Sequence, residues 1–148
     1  MILWRISNYA TFDGVGGLLV SGRWHSKGHP AVYCTLNPST ALLETFVHIE
    51  IDAEDRPERF QVLKIEGPDT LSRERIEANE LPADWSNDIT ITQGVGDRWF
   101  SENRSLLLEV PSVLVPETWN VVVNPQHSEF RLLKITIQYE HPFDARFF

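Results

Sequence analysis

The sequence has one cysteine and one methionine in 148 residues. A single thiol, Cys34, can form neither an internal disulfide nor a cysteine zinc cage. That cysteine usage fits a reducing, cytoplasmic setting. Basic residues are also scarce: 13 Lys and Arg stand against 21 Asp and Glu, a formal charge of −8. This balance argues against nucleic-acid binding over a broad surface, which needs a basic footprint. It suits a basic partner segment, or a small anion held in one local positive pocket. No apolar run approaches the roughly 18 residues that span a bilayer. Met1–Arg5 does not read as a signal peptide, because no basic stretch leads into an apolar run. The five histidines, at positions 25, 29, 48, 127 and 141, form no compact metal pattern. There is no Walker loop, and Gly14-Val15-Gly16-Gly17 does not follow the dinucleotide fingerprint.

What is present is an ordinary globular composition, 42% hydrophobic and 23% charged, in a length of about one domain. Helix signals are few and turn signals frequent. Ile2–Ile6, Ala31–Thr35, Phe60–Glu66, Ser105–Val110, Val113–Val115, Asn120–Val123 and Leu132–Tyr139 read as strands. Thr11–Gly17 reads as a loop and Ser72–Glu80 as a charged surface segment. The clearest helix starts with Asn37 as N-cap and Pro38 at the first helical position. Leu42, Phe46 and Ile49 follow at helical spacing as a buried stripe, widened by Leu43 and Val47. Glu44 and His48 then fall together on the opposite face, one turn apart. Asp97–Asn103 is a second, shorter helix. The short connections leave no room for repeated βαβ crossovers. The expected fold is α+β, with a mixed or mainly antiparallel sheet and few helices.

Five clusters could carry chemistry. In Ser21-Gly22-Arg23-Trp24-His25, an arginine beside a glycine can approach a phosphate or pyrophosphate closely. The plainer alternative is a surface arginine paired with a carboxylate. Tyr33 can stack on a flat heterocycle, or be a core tyrosine with a satisfied hydroxyl. Glu44 can stabilise positive charge as a glycosidic bond breaks, or simply be solvated, with His48 as a surface partner. Ser112, in Val110-Pro111-Ser112-Val113, can orient a carboxylate, or bond its own backbone in a turn. His127, in Asn124-Pro125-Gln126-His127, can reach a site or sit exposed on a loop.

Taken in order, these clusters resemble the RES-domain family. The resemblance runs from Trp4-Arg5 and the glycine loop through Gly22-Arg23-Trp24, Gly28, Val32-Tyr33 and Ala41-Leu42-Leu43-Glu44. It continues through Gly96-Asp97-Arg98-Trp99, Val110-Pro111-Ser112, Val115-Pro116-Glu117, Asn120, Asn124-Pro125-Gln126-His127 and Pro142-Phe143-Asp144. It therefore covers nearly the whole chain as a single domain, residues 1–148. The sequence departs from the family pattern at His25, where asparagine often stands, and at His127-Ser128-Glu129, where His-Pro-Asp is commoner. By motif position the family's arginine, glutamate and serine correspond to Arg23, Glu44 and Ser112, with Ser105 and Ser128 as alternatives for the serine. The resemblance implies that Arg23, Glu44 and Ser112 are catalytic and that Arg23, Tyr33, Trp24 and His127 bind substrate.

The resemblance implies a fold like the ADP-ribosyltransferase toxins. It also implies a bacterial toxin whose partner is an Xre-like helix-turn-helix antitoxin. The implied activity is degradation of NAD by phosphorolysis or hydrolysis. NAD is then a consumed substrate and inorganic phosphate a co-substrate; no cofactor and no metal are expected. Protein mono-ADP-ribosylation is the alternative activity, a non-catalytic binding module is a further one, and homodimer formation stays open.

Overall fold

The computed structural model describes residues 1–49 and 56–148. Seven strands form one sheet: β1 (Ile2–Ser7), β2 (Val32–Thr35), β3 (Arg59–Glu66), β4 (Arg73–Arg75), β5 (Leu107–Pro111), β6 (Trp119–Val123) and β7 (Lys134–Pro142). Among the described residues three α-helices accompany them: α1 (Gly16–Leu19), α2 (Pro38–Phe46) and α3 (Ile89–Glu102). The strand order is β4-β5-β6-β2-β1-β3-β7. Every pairing is antiparallel except β4 with β5. The expected α+β class with a mixed, mainly antiparallel sheet is what forms.

Alternation along the strands builds two apolar layers, because successive side chains point to opposite faces. Leu3, Cys34, Leu63, Ile65, Leu107, Val121 and Val123 fill one face. The intervening residues fill the other in two clusters. Trp24, Trp99, Phe100, Leu108, Val110 and Val122 make one, and Ile6, Ala41, Phe60 and Val62 make the second. Each fully buried Val, Leu or Ile contributes about 1.5–3 kcal/mol.

The sheet is nearly divided. β1 follows β3 over six residue pairs, from Ile2↔Glu66 to Ser7↔Gln61. β1 and β2 share a single pair, Trp4↔Thr35. Two half-sheets, β4-β5-β6-β2 and β1-β3-β7, therefore meet at one point.

Local chemistry explains the elements and several departures from expectation. α2 begins as the sequence indicates: Asn37 Oδ1 accepts from the Thr40 N–H at 2.9 Å, with Pro38 next. It stops at Phe46, so Ile49 lies beyond it. Leu43 and Val47, expected to widen the buried stripe, are 40% and 51% exposed. Only Ala41 of this helix is fully buried, so the helix rests on the sheet along a narrow line. Val113–Val115 is not a strand. Ser112 Oγ accepts from the N–H groups of Leu114 and Val115 at 3.1 and 3.2 Å and turns the chain there. The charged segment 72–80 holds the short strand β4 and a 3₁₀ turn, Ala78–Glu80. The last strand lies two to three residues further on than expected, and all nine of its residues are exposed.

α3 is longer than the expected Asp97–Asn103. Asp88 caps it, its carboxylate accepting from the Thr90 N–H at 3.0 Å. Asn103 ends it in the left-handed region at φ 49°. Gly96 is required by contact: a Cβ there would lie 1.6 Å from the carbonyl oxygen of Trp24. Gly94, two residues earlier, has nothing within 4 Å of its would-be Cβ. Gly96→Ala should cost about 3 kcal/mol or more by forcing α3 off the 22–26 loop. Gly94→Ala should leave stability equal or raise it by up to about 1 kcal/mol. Denaturant unfolding of both variants checks the contrast.

Candidate active site

The split between β1 and β2 opens into a cleft with two lobes. The larger, about 570 Å³, is bounded by Trp4, Arg5, Ser7, Tyr9, Thr35, Thr45 and Ile49 among others. The smaller, about 450 Å³, is bounded by the α1 segment, Arg23, His25, Val113 and Leu114 among others. Arg5, Tyr9, Tyr33, Glu44, His48 and Asn120 line both.

Glu44 stands on α2 where the lobes join. Its Oε1 accepts from Ser112 Oγ at 2.6 Å and from Asn120 Nδ2 at 2.8 Å. Two residues far along the chain from Glu44 thus fix one carboxylate oxygen. Both readings of Ser112 hold at once: the hydroxyl takes two backbone N–H groups and gives its proton to Glu44. The alternative serines lie elsewhere. Ser105 is buried between the Trp99 indole N–H, at 2.8 Å, and the Leu107 carbonyl, at 2.9 Å. Ser128 opens a 3₁₀ turn.

Arg23 borders the smaller lobe and donates to the Ser86 carbonyl at 3.2 Å. α3 pins its backbone. Thr92 Oγ1 donates to the Arg23 carbonyl at 2.5 Å, and Gln93 Nε2 donates to that of Gly22 at 3.0 Å. Asp97 accepts from Ser26 N–H and Oγ at 2.8 and 2.6 Å.

Tyr33 forms the wall shared by both lobes. Its hydroxyl accepts from the Trp24 N–H at 3.1 Å and lies 2.7 Å from His25 Nδ1. Burial pushes that hydroxyl well above the usual phenol range, so it stays protonated. Trp24 itself is 2% exposed and packs against Trp85, with ring centroids 6.2 Å apart. Its indole is therefore part of the core, and what it gives the site is its backbone N–H to Tyr33. His127 borders neither lobe. Its Nδ1 accepts from the Glu129 N–H at 3.2 Å and caps the 3₁₀ turn.

Two residues quoted in the family resemblance, but given no site role there, also belong to the cleft. Arg5 donates from Nη1 to the Tyr33 carbonyl at 3.2 Å, and its buried Nε has no hydrogen-bond partner among the described residues. A charge inside the apolar run Ile2–Ile6 was its signal, since buried charge is costly unless it is used. Asn120 holds Glu44 through Nδ2, while its Oδ1 is buried and unpartnered among the described residues. An amide opening the Val121–Val123 run marked it. No cluster of metal-ligating side chains occurs among the described residues. Among them too, no helix is long and apolar enough to cross a membrane.

Fold and cleft together define a class: an α+β domain with one fixed carboxylate in a cleft that two arginines also line. The chain belongs to the RES-domain family, whose model matches residues 2–144. It is similar to proteins named as toxins. Toxin Res of Pseudomonas putida is 45% identical over 148 residues, all of both chains. Toxin Res of Yersinia enterocolitica is 35% identical over 153 aligned residues, 99% of each chain. A Sphingobium protein named Prs ADP-ribosylating toxin is 33% identical, covering 97% of this chain and 94% of that one. The fold also matches a chain in the crystal structure of the M. tuberculosis MbcT–MbcA toxin–antitoxin complex. That match has a TM-score of 0.76 at 17% identity, over 95% of this chain and 84% of the other.

Cys34 lies beside Tyr33 on β2, 1% exposed, and burial pushes its thiol up to about 12. The native protein should therefore not react with a soluble disulfide reagent at neutral pH, and should release one equivalent on unfolding. Absorbance of the released thiolate, with and without denaturant, measures this.

Proposed function

We propose that this protein is the toxin of a toxin–antitoxin pair and that its cleft cleaves NAD between nicotinamide and ribose. The observation that carries the reading is Glu44, its Oε1 fixed by Ser112 and Asn120 at the junction of two lobes. A dinucleotide needs two connected lobes, and the lobes here share the carboxylate. The family membership and the toxin names of the relatives support the reading.

The chemistry follows from charge. As the C1′–N bond breaks, its electron pair passes to the nicotinamide nitrogen and cancels the positive charge of the ring. The sugar is left oxocarbenium-like. A carboxylate already oriented at that point stabilises the developing charge without reorganising. Arg23 offers a planar fork to the pyrophosphate or to inorganic phosphate. Arg5 Nε and Asn120 Oδ1 supply a further donor and acceptor. Tyr33 offers a ring face to a flat heterocycle. A phosphate oxygen, or water losing a proton, then completes the bond to C1′. No cofactor or metal has a part in this scheme.

The partner we propose is an antitoxin of the Xre-like helix-turn-helix class, with the cytoplasm as the site of action. A second reading transfers ADP-ribose to a protein side chain; the name of the Sphingobium relative, an ADP-ribosylating toxin, favours it. Purified protein incubated with NAD, with and without phosphate, separates these readings by product mass. ADP-ribose carrying a phosphate marks phosphorolysis, free ADP-ribose marks hydrolysis, and label retained on protein marks transfer. Glu44→Gln should slow NAD loss by about two to three orders of magnitude while the unfolding midpoint stays close to that of the parent. Full activity in Glu44→Gln would sink the mechanism.

A further inference from the structure

His25 is a buried imidazole that the scheme above leaves without a task. It is 3% exposed and sits beneath Tyr33, with ring centroids 5.6 Å apart. Its Nε2 lies 3.1 Å from the carbonyl oxygen of Val20. A carbonyl only accepts, so Nε2 carries a proton. In the neutral ring Nδ1 is then bare, and the contact of 2.7 Å to Tyr33 is the hydroxyl donating to His25. The Tyr33 oxygen accepts from Trp24 N–H at the same time. Every hydrogen in this chain of bonds has one acceptor, and the chain runs from the cleft wall to the end of α1. Gly22 closes over it: a Cβ there would meet the Tyr33 hydroxyl at 2.5 Å.

We infer that His25 is a positioning residue, holding Tyr33 in the cleft wall and tying it to the α1 segment only while its ring is neutral. A proton on Nδ1 would turn that nitrogen into a donor. The Tyr33 oxygen would then face two donors, Trp24 N–H and His25 Nδ1–H, and its own O–H would lose its acceptor. A buried hydroxyl without an acceptor is costly, so the wall would relax. Both lobes share that wall, so binding to the cleft weakens in acid.

The surroundings are consistent with a neutral ring in the native state. Burial lowers the proton affinity of His25 below the ordinary imidazole value. From α3, Asp97 faces it and opposes this, but Asp97 is bonded to Ser26 and lies 3.7 Å from His29. His29, stacked on Phe100 at 5.2 Å, acts with burial to lower the proton affinity of His25. Arg23 faces Tyr33 from the loop. Backbone contacts with Gly17, in α1, and with Val20, just beyond it, oppose the effect of burial more strongly than Asp97 does, and burial still prevails. The unfolded chain takes up the proton more readily than the native one. This contribution to stability is therefore present above the ordinary imidazole range and is lost as pH falls through the lower native value.

The inference rests on the NAD reading for its ligand and on the bond geometry for its switch, so the test has two arms. In the first, steady-state NAD cleavage is compared between about pH 7.5 and about pH 5.5. The wild-type KM should rise roughly fivefold, with a smaller change in kcat. In His25→Asn, which keeps an acceptor near the Nδ1 position but cannot titrate, the KM should stay flat. An unchanged acid rise in His25→Asn would overturn the inference. The second arm needs no substrate. With ring-labelled tyrosine, the Tyr33 resonance, assigned by its loss in Tyr33→Phe, should titrate together with the His25 imidazole. It should not do so in His25→Asn. A Tyr33 signal blind to His25 overturns the inference even in a protein that leaves NAD untouched. Absence of cleavage together with coupled titration would overturn the NAD reading alone.

Discussion

One backbone pair, Trp4↔Thr35, joins the two halves of the sheet, and the cleft exists because there is no second one. A full ladder between β1 and β2 would close the gap that the two lobes occupy. Groups that a ladder would leave idle are instead spent across it. Arg5 on β1 donates to the carbonyl of Tyr33 on β2, and Glu44 hangs from the helix that follows β2. The order of the sheet then brings Asn120 of β6 opposite Thr35, so the neighbour of the split strand also holds the carboxylate. The weakest seam of the backbone is thus the place where polar side chains from four segments meet.

α3 is the counterweight to that open seam. It contributes two small contacts that a propensity scale would count against a helix. Gly96 lets the Trp24 carbonyl approach, and β-branched Thr92 fixes the Arg23 carbonyl. With Gln93 and Asp97 these make the Gly22–Ser26 loop a rigid shelf. Rigid support behind a binding loop is what allows an arginine fork and an aromatic wall to keep their positions without a ligand.

Much of this was legible in the sequence. The stretches read as strands at Phe60–Glu66, Ser105–Val110 and Asn120–Val123 hold β3, β5 and β6. Asn37-Pro38 marked the start of α2. Arg23, Tyr33, Glu44 and Ser112 all lie at the cleft or hold a group that does. What the sequence hid was set by tertiary contacts. The α2 stripe suggested that Glu44 faced solvent beside His48. In the fold both border the cleft, and Leu43 and Val47 are exposed instead, because α2 buries only its Ala41 line. The N-terminal half of α3 was invisible, since Thr90, Ile91, Thr92, Gly94 and Gly96 are individually poor helix formers. His127 sits in a family-like motif, yet in this chain it caps a turn. Trp24 belongs to the same cluster as Arg23, but its ring is drawn into the core beside Trp99 and Phe100.

The position of β1 inside the sheet also governs when the cleft can exist during synthesis. β1, Ile2–Ser7, is an interior strand. It finds its long partner only when β3 emerges, and β2 waits for β6. Ser112 and Asn120, which orient Glu44, leave the ribosome about seventy residues after it. Such non-local pairing folds slowly and late. A nascent chain therefore has no assembled carboxylate centre until Ser112 and Asn120 have emerged.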